Sequence, residues 1–235
     1  MKAGTGFYSP AEAAALLHER QATVRRWAWG YRRGHASGHT AHPPLIHTEL
    51  PTVEGQDALT FVELVELLYI RAFERAGVSW KRIRDAARVA ARMYSTRHPF
   101  ALRQVYVDPH GVYGTVHEDD GAESLVELAG HGQHAIPQLV KPFLEQIDFG
   151  PNDVARRWWP MSRDAGVVVD PLIAFGAPVV ADVGMRAHSL ARAVDAEAPA
   201  FGEDGAVDRV AWTYDIAPAH VRTALHFREW LRKAA

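Results

Sequence analysis

Gln21, Thr23, Arg25 and Arg26 set a side-chain amide, a hydroxyl and two guanidiniums within one hexapeptide. These are the groups that read DNA. Amides and hydroxyls reach base edges, and guanidiniums meet base or phosphate. Tyr31, Arg32 and Arg33 follow closely and are candidates for phosphate contact. A second chemistry sits near the other end. Glu197, Glu203, Asp204 and Asp208 lie in a Gly-, Pro- and Ala-rich stretch expected at the surface, where carboxylates can meet a basic partner. A nuclease would need such carboxylates to converge on a metal, and nothing in their spacing asks for that. His35, His39, His42 and His47 are polar loop residues by their surroundings, with no carboxylate at regular spacing to complete a metal site; His131 and His134 likewise stand alone. There is no phosphate loop, dinucleotide turn, nucleophile elbow or His-Glu-x-x-His. The expectation is therefore no catalytic residue, no cofactor and no enzyme.

The elements that would position the first group are two short helices. Ser9 is a cap, Pro10 suits the first helical position, and Glu12 completes a capping box. Ala13, Leu16 and Leu17 make one apolar face. A second helix from about Gln21 carries Val24 and Trp27 inward and leaves the basic residues outside. That is the shape of a helix that enters a major groove, and equally of a helical hairpin with a solvated basic face. The Gly-, Pro- and His-rich stretch 34–59 follows. Leu45 to Leu50 reads as a strand with Val53 and Leu59 on its return, a wing beside the groove. Thr60 with Glu63 opens a third helix, whose inward face is Phe61, Leu64, Val65, Leu68 and Phe73. Ser79 opens a fourth, with Trp80, Ile83, Ala87, Ala90 and Met93 or Tyr94 inward.

Apolar content of 48% and charged content of 23% are those of a soluble globular protein. The chain has no cysteine, which excludes disulfides and thiolate sites. With no leader-like opening and no long apolar run, it is expected to be cytoplasmic and without membrane contact. The net charge of −2 conceals an asymmetry. Residues 1–100 hold 14 Lys+Arg against 9 Asp+Glu; residues 101–235 hold 12 against 19. A basic half suits a polyanion and an acidic half a different partner.

Residues 100–165 read as a small α/β module: a hairpin with strands near Arg103–Val107 and Val112–Val116, an acidic loop at Glu118–Asp120, a helix over 138–146, and a short strand at Ile147–Phe149. Of Trp158 and Trp159, one is expected in the core and one at a domain edge. Val167 to Asp170 is strand-like, and Gly176-Ala177-Pro178-Val179-Val180 a hairpin. Helical patterns follow over 187–193, 204–214 and 218–233. The fold expected is mainly α with small β elements (α+β). Its domains are a winged helix-turn-helix at 1–99, the middle module at 100–165, and a helix-turn-helix-like module at 166–235.

Tyr8 to Ala14 followed by Thr23-Val24-Arg25-Arg26-Trp27 resembles the first half of a MerR-type winged helix-turn-helix. Arg71 to Arg84, with Gly77-Val78-Ser79 between helices, resembles its second half. The last segment resembles the bacterial domain-of-unknown-function family four hundred and thirty-three, through Gly176, Pro178, Val179, Val180, Asp215-Ile216, Val221, Ala224 and Leu225. It departs from that family at Val183-Gly184-Met185-Arg186, where Gly-Thr-Arg is usual. The whole order resembles one group of VapB-type antitoxins. That resemblance implies binding to the operon's own operator DNA and neutralisation of a PIN-like ribonuclease toxin; because one such domain touches only a few base pairs, a homodimer on two half-sites or a higher toxin-antitoxin assembly is expected. A one-component regulator with a small ligand in 100–165 is the alternative reading; a partner-binding module that touches no DNA is another.

Overall fold

The computed structural model describes residues 5–35, 38–52, 55–108, 111–117, 123–128 and 145–233. The fold is α+β, with six α-helices among the described residues and small antiparallel sheets. It divides into two compact units, Tyr8–Ala155 and Arg156–Ala235 with Met1–Phe7.

In the unit Tyr8–Ala155 the opening helices are α1 (Pro10–Leu17) and α2 (Gln21–Trp29). They are followed by strands β1 (Tyr31–His35) and β2 (Gly38–His42), which pair as an antiparallel hairpin. Next come α3 (Phe61–Arg75) and α4 (Trp80–Met93). A three-stranded sheet follows, with order β3 (Val105–Asp108), β4 (Gly111–His117), β5 (Glu123–Glu127). The strand β6 (Ile147–Phe149) sits where the sequence places it. The expected helix over 138–146 and the acidic loop 118–120 lie outside the described residues, apart from Glu145 and Gln146.

Helix α3 is the core of this unit. Leu64, Val65, Leu67, Leu68, Ile70 and Phe73 are all fully buried. Each such side chain contributes roughly 2 kcal/mol by leaving water. The helix packs against α1, α2, α4 and β3, which is why its apolar residues run all round rather than in one stripe. Thr60 and Glu63 form the capping box that starts it. Glu63 is itself buried, and its Oε1 accepts the Glu49 N–H at 2.6 Å.

One turn further on lies a buried carboxylate, Glu66. Its Oε2 is 2.9 Å from His98 Nδ1, and Oε1 accepts the Phe100 N–H at 3.3 Å. The other ring nitrogen of His98 is 3.2 Å from Glu49 Oε1. This cluster ties the segment after the hairpin, the middle of α3 and the chain leaving α4. Burial alone would lower the His98 pKa; Glu66 and then Glu49 outweigh it and raise it to about 9. Burial pushes the Glu66 carboxyl up, against the pull of His98.

Two expectations are corrected here. No strand forms at 45–50; the hairpin that follows α2 is β1 with β2. Gly30 adopts φ +74°, and a Cβ there would collide with the His42 carbonyl, so the chain reverses directly after α2. Tyr31 then stacks on His42 at 4.3 Å. Leu45 and Ile46 are buried packing residues instead, and the Leu45 N–H bonds the Trp27 carbonyl at 2.7 Å. Helix α4 buries Ile83 and Ala90 as expected but differs at its other positions. Ile83, Ala86 and Ala90 face inward, while Met93 is exposed and Trp80 half-buried.

In the other unit, Trp158, which ends the strand β7 (Ala155–Trp158), bridges Val169 by two backbone bonds. Trp158 is core; Trp159 is half-buried, with Arg163 over its ring at 5.5 Å. A second three-stranded sheet has order β10 (Met185–Arg186), β9 (Val179–Val180), β8 (Val167–Val168). Buried Asp170 accepts Arg157 Nε at 2.6 Å and the Leu172 N–H at 2.9 Å. Helix α5 (Ala187–Thr213) bends at Gly202, where φ is +69°, and α6 (Pro218–Arg232) packs on it and over β8 and β9. The helical patterns expected over 187–193 and 204–214 are thus joined in one bent helix, which also takes in Asp195, Glu197 and Glu203. Apolar residues recur on both sides of the bend, at Leu190, Ala191 and Val194 and again at Ala206, Val207 and Val210, so one core holds both halves.

Candidate nucleic-acid interface

Helix α1 is fixed before it begins. Tyr8 and Leu59 exchange backbone bonds at 2.9 and 2.8 Å, and Ser9 and Glu12 form the capping box. His18 then takes a left-handed conformation, φ +51°, and closes the helix. Burial, then Arg71 and Arg75, hold the His18 imidazole below its usual pKa. The turn through Glu19 and Arg20 leads straight into α2. Val24, Trp27 and Ala28 are buried against the core, which orients the remaining faces of α2 outward.

On that outer face Gln21, Arg25 and Arg26 are exposed and Thr23 is half-buried. Arg26 Nη2 donates to Thr23 Oγ1 at 3.3 Å, and its guanidinium lies over the Tyr31 ring at 6.0 Å. Tyr31 is held in turn between the His42 stack and the edge of Trp80 at 6.0 Å. Arg25 Nη1 donates to Asp57 Oδ2 at 2.5 Å, with the guanidinium 5.8 Å from the Trp29 ring centroid. Asp57 also accepts the Thr52 hydroxyl at 2.6 Å. That bond first, and Arg25 after it, hold the Asp57 carboxyl below its ordinary range.

Both guanidiniums are thus set in place before any ligand arrives, which lowers the ordering cost of binding. Gln21 has no bonded partner among the described residues. Arg32 is exposed on β1; the Arg33 side chain lies outside the described residues. The residues that sequence reasoning missed are Asp57, Thr52, Trp29 and His42. Asp57 is 32 positions from Arg25, and no local signal connects them. The face can present an amide, a hydroxyl and two cations to a polyanion, with aromatic rings holding the cations.

The carboxylates of α5 divide. Glu197 accepts Arg209 Nε at 2.9 Å. Glu203 and Asp204 line a groove of about 440 Å³ floored by Val207 and Leu225, with Arg222 and Lys233 in its wall. Asp208 is exposed outside it. The charge asymmetry also resolves further. Residues 101–155 hold 2 Lys+Arg against 9 Asp+Glu, and residues 156–235 hold 10 against 10. The acidic excess lies before the C-terminal unit, so any attraction there is local.

Among the described residues no helix is long and apolar enough to cross a membrane, and no three His, Asp or Glu are grouped to hold a metal ion. Residues 6–87 match the family described as "Putative DNA-binding HTH domain". Over 227 residues the chain is 30% identical to "Putative antitoxin VapB45" of Mycobacterium tuberculosis, covering 93% of this chain and 92% of that one. The crystal structure of Rv2018 from the same organism matches with a TM-score of 0.60 at 26% identity, over 93% of this chain and 96% of that one.

Proposed function

The chain belongs to the family of the VapB45 antitoxin, and on that premise we propose that it is a DNA-binding antitoxin that represses its own operon and neutralises a PIN-like ribonuclease. The observation that carries the DNA half is the outer face of α2. Its cations are pre-set by Asp57 and Tyr31, and it leaves Gln21 free. In the proposed complex α2 lies in the major groove as the recognition helix of a MerR-like winged domain. Gln21 and Thr23 meet base edges, Arg25 and Arg26 meet base or phosphate, and Tyr31, Arg32 and Arg33 on the hairpin meet phosphate. One such domain covers few base pairs, so the operator-bound form is a homodimer on two half-sites.

Glu203, Asp204 and Asp208 are the carboxylates offered to the toxin. Glu197 acts in this arrangement through Arg209, which it holds. Both activities belong in the cytoplasm, where operator and transcript are. Titrating the purified chain into the ribonuclease encoded beside it tests the reading. RNA cleavage should stop near equimolar chain; cleavage that continues undiminished at a large excess rejects the antitoxin assignment.

A further inference from the structure

The most exposed large apolar side chain among the described residues is Trp212, at 81%. It stands in the last turn of α5, and Tyr214, 44% exposed, follows just past the helix end. Two large aromatic side chains left in water two residues apart at one helix end, on the side away from the buried Val207, Val210 and Ala211, mark a contact surface. Asp208 and Asp204 precede it by one and two turns, so the three share one stripe along the helix. Both aspartates are exposed, and neither has a hydrogen bond or ion pair among the described residues. The nearby cations are not paired with them: Arg222 and Lys233 line the same groove as Asp204 without a bond to it. Arg209 is drawn to Glu197 at 2.9 Å and lies over the Phe201 ring at 4.8 Å. Asp215 extends the surface beyond Tyr214, exposed and left-handed at φ +53°.

We propose that this face, anchored on Trp212, docks the basic RNA-binding surface of the ribonuclease by imitating a strand of RNA. The proposal rests on the antitoxin reading and deepens it. Sites for single-stranded nucleic acid combine cations that track the backbone with groups on which bases stack. Spaced carboxylates beside two flat rings offer both features in protein form. An arginine of the partner can lie on the indole while its neighbours meet Asp208 and Asp204. Charge complementarity selects the occupant: the stripe attracts a cationic groove and repels an acidic one.

The test is the affinity of the full chain for the purified neighbouring ribonuclease, measured calorimetrically over a salt series. Trp212→Ala weakens binding by about 30-fold or more, as expected for a central aromatic anchor. Trp212→Phe recovers part of the loss, and D204K/D208K weakens binding and flattens its salt dependence. Because these side chains are exposed, melting temperature and binding to upstream DNA stay as in the wild type. If wild type binds the ribonuclease and Trp212→Ala binds within about threefold of it, this inference falls and the antitoxin reading stands. If wild type itself does not bind, both fall. If Trp212→Ala instead turns a dimer into a monomer and leaves ribonuclease binding intact, the face is a self-association surface and the inference is wrong.

Discussion

Replacing His98 by Leu should be among the most damaging single changes in the unit Tyr8–Ala155. The ring bridges Glu66 at 2.9 Å and Glu49 at 3.2 Å, and Glu66 is 1% exposed. Leucine leaves that carboxylate buried with the Phe100 N–H as its remaining bonded partner. Breaking one side of a buried pair costs about 3–5 kcal/mol, because the surviving charge stays desolvated. Urea unfolding at neutral pH, followed by tryptophan fluorescence, reads the loss. The double variant His98→Leu/Glu66→Leu removes the stranded charge and should recover most of it. The same cluster sets a pH dependence. His98 has a folded-state pKa of about 9 against 6.5 in the unfolded chain. Its contribution is therefore complete below pH 6.5 and is lost as pH rises through 9, by about 3 kcal/mol in all. The raised Glu66 carboxyl acts in the same direction, since its ionisation is disfavoured by folding. A His98→Leu protein within about 1 kcal/mol of wild type, or a wild type equally stable at pH 6 and pH 10, would refute this account of the cluster.

Gly30→Ala places a Cβ against the His42 carbonyl at a positive φ, and should cost about 2–3 kcal/mol and unseat the hairpin. A thermal melt checks the first, and loss of affinity for upstream DNA checks the second. Asp57→Asn releases Arg25 and removes a negative charge beside the proposed DNA-reading face. Affinity for unrelated DNA should rise several-fold and the salt slope steepen by about one phosphate contact, with discrimination reduced. Stability should change by less than about 1 kcal/mol, because Arg25 is half in water.

What was legible in the sequence is what is written locally. Ser9 with Glu12, Thr60 with Glu63, and Ser79 all cap the helices their spacing predicts. The apolar faces of α1 and α2 follow from periodicity alone, whereas the single face expected for α3 leaves out Leu67, Tyr69 and Ile70, which are buried as well. The strand expected at 45–50 does not form, although Leu45 and Ile46 look like one, because they are drawn inward to fill space beside Trp27. The hairpin that does form owes its position to one glycine and one stacked ring pair. Trp80 of α4 stays out of the core because it commits its ring to Tyr31 and its indole N–H to Glu74. Pro199 and Gly202 read as a break between the helical patterns at 187–193 and 204–214. The chain absorbs both within a bent helix, since the residues on either side still share a core. The Arg25–Asp57 and Glu66–His98 pairs each span 32 positions, beyond any local pattern.

The central claim is that the outer face of α2 reads DNA. Fluorescence anisotropy on the chain's own upstream region and on unrelated duplex, across a salt series, tests it most directly. Wild type should bind both with affinity that falls steeply with salt, and its own upstream region more tightly. Gln21→Ala with Thr23→Ala should remove about 1–3 kcal/mol of that preference per lost contact and leave the salt slope unchanged. Binding that does not respond to salt, or a preference untouched by the double change, would contradict it.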